Sequence, residues 1–183
     1  IGGSAGAGNA VATAYYNFQN FYGVLPSGDT PSNVITENQK ERAREIFEIY
    51  SSLLGIQFVE TSSQGLTVVT GDLRAIDPTV PTGPGGVAGI SEGSLGGRVI
   101  MDAAENWGSS EYGASWFRVA MHEIGHSLGM GHSYDLPSLT IMGDQNSVDP
   151  TRFPDVGEPV FPGDADIIHG QFLFPPGAND SDL

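Results

Sequence analysis

The run from residue 122 to residue 132, HEIGHSLGMGH, constrains the fold and the chemistry of this chain more than any other segment. On a helix, His122 and His126 lie one turn apart on the same face. Two imidazoles at that spacing can bind one zinc ion, and Glu123 beside them is placed to act as a general base. The run therefore predicts a metal-bearing helix.

A third candidate ligand follows the predicted end of this helix. Gly129 is the residue type best suited to end a helix with positive φ, so the chain can turn and bring His132 towards the same ion. Three protein ligands leave a fourth position open for water, which distinguishes a catalytic zinc from a structural one. The alternative interpretation, a polar helix face and a loop without metal, gives no reason for residues 129 and 132. The pattern indicates a zinc-dependent peptidase.

Residues 140–143, TIMG, stand shortly after His132 and resemble the methionine-containing turn of the metzincin metallopeptidases. Ser133, directly after the last histidine, is most similar to the matrixin (matrix-metallopeptidase-like) branch. The resemblance implies that Met142 lies beneath the zinc. Taken alone, Met142 would be read as an ordinary core methionine.

Three further segments carry the resemblance: residues 82–90, 96–105 and 164–172 are similar to the matrixin rim loop and strand, the next strand, and the C-terminal helix. The resemblance implies an α+β fold of the metzincin type. That fold has a twisted mixed sheet of about five strands, an active-site helix, a second long helix and a C-terminal helix. It also implies that an extended substrate pairs with one edge strand, formed by Val87, Ala88, Gly89 and Ile90.

The resemblance is incomplete at the family's other metal sites. Matrixins usually hold a second, structural zinc with histidines, and the corresponding positions here include Gly89 and Ile100, which cannot bind metal. We therefore expect one zinc per chain. Asp102 and Glu105 match two carboxylate ligands of the family's structural calcium, whereas Thr82 replaces a third. Calcium ligands and solvated surface acids both remain open interpretations of these two acids.

The composition indicates which classes of partner the protein is suited to bind. The chain has 183 residues, 22 Asp and Glu against 7 Lys and Arg, and no cysteine. Its negative charge disfavours nucleic acid and anionic membranes, and it contains no apolar stretch of membrane-spanning length. We expect a monomeric, secreted or extracellular protein that acts on peptides or proteins. The absence of cysteine excludes stabilisation by disulfides.

Segment composition and the spacing of apolar residues predict the domain limits, helices and strands. We expect a flexible segment over residues 1–10, a catalytic domain over 11–174, and an acidic tail or linker to further domains over 175–183. Helices are predicted over 38–54 and 115–128 from apolar residues at helical spacing. Shorter patterns predict a first strand with its approach within 11–24, strands at 56–60 and 66–69, and a long loop with one strand over 77–97.

The predicted function is hydrolysis of peptide bonds in an extended substrate, through zinc-bound water with Glu123 as general base. Two other classes stay open. One is a catalytically silent zinc-binding interaction module, and the other is a zinc hydrolase of a non-peptide substrate. The sequence names neither the natural substrate nor the activation mechanism.

Overall fold

The computed structural model describes residues 11–81, 83–133, 140–143 and 160–176. In chain order, these ranges form the elements β1 (Ala12–Asn17), α1 (Glu37–Leu53), β2 (Ile56–Glu60), β3 (Leu66–Gly71), a 3-10 turn (Leu73–Ala75), β4 (Gly89–Ser91), β5 (Arg98–Asp102), α2 (Ser115–Ser127) and α3 (Asp164–Leu173). None of the helices in these ranges is both long and apolar enough to cross a bilayer.

The strands form one sheet in the order β2-β1-β3-β5-β4. Neighbouring strands are parallel except β4, which pairs antiparallel with β5 at the edge. This mixed sheet with three helices confirms the predicted α+β fold. Its antiparallel edge strand lies beside α2, the helix that carries His122 and His126, and Ser91 and Ser127 form a hydrogen bond of 2.9 Å between hydroxyl oxygens there.

One face of the sheet is covered by α1 and α2, which pack against each other. Alternation along the strands sends Val68, Val99 and Met101 to this face, where they join the larger apolar cluster. The tyrosine hydroxyl of Tyr50 on α1 donates to the carbonyl of Met121 on α2 at 2.8 Å. The apolar residues at helical spacing along α2 and its C-cap are all buried: Phe117, Met121, Ile124 and Leu128.

The opposite face is covered by loops. Val69 and Ile100 point to this side and pack with Tyr22, Leu73 and Val80, a set that we call the outer cluster. Contacts among these five residues hold the segment after β3 against this face of the sheet. The sequence pattern did not predict this cluster, because its loop members follow no period.

Local signals set the helix ends. The Thr36 hydroxyl accepts from the backbone N–H of Gln39, and the Gln39 side chain accepts from the backbone N–H of Thr36. This capping box starts α1 at Glu37, one residue before the predicted start. The first strand occupies only Ala12–Asn17 of the predicted stretch, and β3 continues two residues beyond its predicted end.

Candidate metal centre

Helix α2 ends in a turn that reverses the chain. Leu128 is the C-cap and Gly129 adopts a φ of +90°. The N–H of Met130 donates to the carbonyl of Gly125, and the N–H of Gly129 donates to the carbonyl of His126. These two bonds form a Schellman motif, which needs a left-handed residue that glycine supplies without steric cost. The turn directs the following residues back towards the histidines of α2.

The three predicted histidine ligands come together. His132 Nε2 lies 3.1 Å from His122 Nε2 and 3.0 Å from His126 Nε2. Among the described residues, they form the one group of three or more His, Cys, Asp or Glu side chains whose ligand atoms all lie within 4.8 Å of one another. Tetrahedral zinc with bonds of 2.0–2.1 Å would separate its nitrogen ligands by about 3.3 Å. The spacing therefore fits zinc.

Backbone carbonyls fix the orientation of two rings. His122 Nδ1 lies 2.7 Å from the carbonyl of Ile141, and His126 Nδ1 lies 2.8 Å from the carbonyl of Met130. A carbonyl only accepts, so each Nδ1 donates a proton and each neutral ring directs its Nε2 lone pair inward. His132 Nε2 carries at most one proton, so at least one of the two close pairs of Nε2 atoms has no proton between its nitrogens and the two atoms repel each other. A shared cation removes that repulsion.

Burial keeps the imidazole rings of His122 and His126 neutral. Desolvation lowers the pKa of His122 to about 4, and the hydrogen bond to Ile141 only partly opposes the shift. Desolvation also lowers the pKa of His126. Neutral imidazole is the form that binds metal, so neither ring needs to lose a proton at neutral pH before binding.

Glu123 is placed on the side of α2 that faces the edge strand. Its side chain is 7% exposed, and desolvation raises its pKa to about 8 in the metal-free protein. A Cβ added at Gly89 would lie 2.8 Å from Glu123 Cγ and 2.7 Å from a methyl group of Val119. Glycine at position 89 therefore makes room for the Glu123 side chain, a role that the sequence analysis did not assign.

The predicted methionine turn is present, with Gly143 N–H donating to the carbonyl of Thr140 at 3.1 Å. Met142 is 2% exposed. A Cβ added at Gly125 would lie 2.5 Å from Met142 Sδ, so the sulfur packs directly against α2 between its two histidines. Sequence reasoning missed Gly125, although its position inside the metal-binding run was a signal that its size mattered.

The predicted substrate edge is partly a strand. Gly89 and Ile90 belong to β4, whereas Val87 and Ala88 precede it and Val87 is 45% exposed. The Ala88 carbonyl accepts from Asp102 N–H at 2.8 Å, so the β5 side of this segment is paired. In the part of the chain that the structure describes, no strand pairs with its other edge.

The two candidate calcium ligands lie at the end of β5 and just beyond it. Asp102 is 8% exposed and accepts from the N–H of Ala104, and desolvation raises the pKa of its carboxyl group. Glu105 accepts from the N–H of Gly85 at 2.6 Å, which ties the glycine-rich loop to β5. Thr82 lies outside the described residues. Both interpretations of these acids therefore stay open.

Comparisons with known proteins agree with this geometry. The sequence pattern of the matrixin family matches residues 21–150. The chain is 37% identical to matrix metalloproteinase-27 of Homo sapiens over 84 residues, which are 46% of this chain and 14% of that protein. It is 31% identical to interstitial collagenase of Equus caballus over 131 residues, 68% of this chain and 26% of the relative.

A plant protein also matches. Metalloendoproteinase 1 of Glycine max is 31% identical over 121 residues, which are 60% of this chain and 40% of that protein. The chain thus spans less than half the length of each of these three curated relatives.

Proposed function

Because the chain belongs to the matrixin family, we propose that it is a zinc-dependent endopeptidase whose metal ligands are His122, His126 and His132. The observation that carries this proposal is the convergence of three Nε2 atoms, with 3.0 and 3.1 Å between neighbours, at the end of a helix. The family resemblance predicted from the methionine turn and from Ser133 is confirmed.

The three histidines and Glu123 have different roles in peptide hydrolysis. When bound by three neutral imidazoles, zinc supplies a Lewis acid that lowers the pKa of a water ligand to about 7 and polarises a carbonyl. Glu123 takes a proton from the attacking water and delivers it to the leaving amine, the role of a general base that becomes a general acid. The wall formed by β4 excludes bulk water from one side of the Glu123 carboxylate.

An extended peptide is the substrate that the edge of β4 favours. Within the described ranges, β4 pairs on one side only, so its other edge, beside α2, offers backbone N–H and C=O groups to a peptide strand, as in strand addition. Val87, Ala88, Gly89 and Ile90 are the proposed contact residues. Secretion and a monomeric state stay predictions.

The decisive experiment compares the zinc-loaded protein with Glu123→Gln. We expect both to bind zinc, and the variant to cleave a peptide library at least about 100-fold more slowly, the usual minimum for loss of a general base. Glu111→Gln is the matched control, since Glu111 is exposed and lies outside the site. Cleavage products are mapped by mass spectrometry.

Each alternative function has its own outcome in this experiment. Zinc-loaded protein that binds peptides but cuts none would indicate an interaction module. Hydrolysis of esters without any cut in denatured protein would indicate a non-peptide hydrolase. Undiminished turnover in Glu123→Gln would remove Glu123 from the mechanism.

Calcium is a separate proposal for Asp102 and Glu105. Hard carboxylate oxygens and nearby loop carbonyls suit calcium, and the partly buried Asp102 carboxyl would be stabilised in its charged form by a cation. We expect added calcium to raise the melting temperature of zinc-saturated protein, and Asp102→Asn to abolish the increase. A melting temperature independent of calcium would exclude the site.

A further inference from the structure

In the part of the chain that the structure describes, no donor set matches the second, structural zinc that matrixins usually hold. Zinc takes nitrogen, sulfur or carboxylate ligands. The chain has four histidines and no cysteine; three of the histidines form the candidate metal centre, and His169 lies on α3. Ile100, at a position where matrixins usually have a histidine, lies in the outer cluster. The loop-covered face of the sheet is therefore held by other contacts.

Apolar contacts cover part of this face. Ile100 is fully buried and belongs to the outer cluster with four other side chains. One of these is Tyr22, whose hydroxyl accepts from the N–H of Asp72 at 2.8 Å. A Cβ added at Gly71 would collide with that hydroxyl, so the tyrosine ring lies against the end of β3. These contacts leave the carbonyl groups of the surrounding loops to a different partner.

That partner is the guanidinium of Arg98, which joins three segments. Its Nε and Nη2 atoms donate to the two carboxylate oxygens of Glu92, which follows β4. Its Nη1 atom donates to the carbonyl of Tyr22, between β1 and α1, and to the carbonyl of Ala75, which ends the 3-10 turn. These four bonds use four of the five N–H donors of the side chain.

The packing around Arg98 makes room for this arrangement. Alternation along β5 places Arg98 on the same face of the sheet as Ile100. A Cβ added at Gly23 would collide with Arg98 Nη1, so glycine at that position admits the guanidinium. The Arg98 side chain is only 24% exposed, so its bonds are partly shielded from water. The sequence analysis assigned neither Gly23 nor Arg98 a role.

We propose that the Arg98 guanidinium is a built-in structural cation, which holds the loop-covered face of the sheet in place of a second metal ion. A bound hard cation joins chain segments by gathering carboxylate and carbonyl oxygens around one positive charge. Arg98 gathers the same kinds of oxygen from Glu92, Tyr22 and Ala75. A guanidinium stays protonated, and a chelator cannot remove it. The loop-covered face should therefore keep its structure without zinc.

The test compares Arg98→Met with Arg44→Met in the whole 183-residue chain. Arg44 on α1 also donates through Nε and Nη2 to one glutamate, Glu60 of β2, so the control removes the same charge and the same kind of pair. That pair lies between α1 and β2, away from the outer cluster. Methionine keeps an unbranched apolar side chain at either position.

Hydrogen exchange of the backbone amides over residues 72–77 measures how firmly this segment is held. With a zinc-selective chelator at constant calcium, the wild type should exchange within about twofold of its zinc-loaded rate. Arg98→Met should exchange at least about tenfold faster with or without zinc, the factor expected for loss of one charge-assisted hydrogen bond. Arg44→Met should match the wild type. Elemental analysis of the dialysed wild type should give one zinc per chain.

Two tightly held zinc ions per chain would overturn the proposal. So would a wild type whose exchange over residues 72–77 is accelerated by chelation as much as by Arg98→Met, or equal rates in Arg98→Met and Arg44→Met. If Arg98→Met does not fold, Arg98→Lys decides. Lysine carries its donors on one nitrogen and cannot span all three acceptors, so its rate should exceed that of the wild type, and an unchanged rate would overturn the proposal. The exchange measurement does not depend on peptide cleavage, so failure of the proposed function would leave it valid.

Discussion

The two faces of the sheet are built in different ways. On one face, regular helices pack a continuous apolar cluster, and α2 carries His122 and His126, so contacts recur at helical spacing. On the other face, the five residues of the outer cluster come from two strands and from loops. The comparison teaches that helical spacing positions two of the three candidate metal ligands on the regular face, whereas the loop face covers the other side of the sheet.

Zinc affinity gives the sharpest test of this contrast. His132→Ala removes one of three proposed ligands, so we expect the zinc dissociation constant to rise by more than the about 100-fold associated with loss of an outer partner. Leu73→Ala, in the outer cluster, should leave it unchanged within about threefold. Metal content after dialysis against a chelator gives the comparison. Equal losses in both variants would show that the two faces are coupled.

The loss of unfolding free energy on truncation of a buried side chain should also differ between the two faces. Phe117 is fully buried in the larger cluster, and we expect Phe117→Ala to lower the free energy of unfolding by about 3–5 kcal/mol. Leu73→Ala should cost less, near the low end of about 2–5 kcal/mol, because a small cluster under loops can relax into the cavity. Urea unfolding monitored by circular dichroism measures both. A larger loss for Leu73→Ala would contradict the assignment of the main core.

The contact between the edge strand and the helix-covered face can be tested at Gly89. The added methyl group of Gly89→Ala would meet Glu123 and Val119 at 2.7–3.0 Å, so we expect a loss of about 1–3 kcal/mol from overpacking and slower peptide cleavage. Gly96→Ala is the control, because a Cβ there meets nothing within 4 Å. Equal activity in the two variants would indicate that Glu123 moves aside without consequence.

The smallest expected effect concerns acid stability on the loop side. Arg98 pairs with Glu92 and also donates to the carbonyls of Tyr22 and Ala75. Its hydrogen bond lowers the pKa of Glu92 below the ordinary value of 4.5. A lowered carboxyl pKa gives stability that is present above pH 4.5 and is lost as the pH falls through the folded-state pKa.

We therefore expect Glu92→Gln to be less stable than the wild type at pH 7 by about 0.2–1 kcal/mol, and this difference to be smaller at pH 4, below the ordinary pKa of the carboxyl group. Urea titrations at both pH values, with Glu111→Gln as the charge-matched control, measure this. A difference that grows in acid would reverse the proposed sign.

The sequence alone could predict features that depend on residues close together in the chain. The helix bounds followed from apolar period and caps, and the convergence of His122, His126 and His132 followed from helical spacing with a glycine after it. The α+β fold was predicted through the matrixin resemblance, and both the resemblance and the fold are confirmed.

Other features depend on contacts between residues far apart in the chain. Asp166 meets Ile141 across 25 positions, and Ile141 meets His122 across 19. No periodicity marks such pairs, so the origin of the His122 ring orientation was not predictable. The outer cluster and the fit of Glu123 against Gly89 were missed for the same reason.

The close packing of Met142 against Gly125 has a consequence for oxidative damage. Conversion of the thioether to a sulfoxide would add an oxygen and a dipole to an atom with no spare room on the side facing α2. At 2% exposure, the sulfur is shielded from peroxide while the protein is folded. Oxidation of Met142 should therefore require local opening of the protein. A chain oxidised while open would refold with the turn of residues 140–143 displaced from α2.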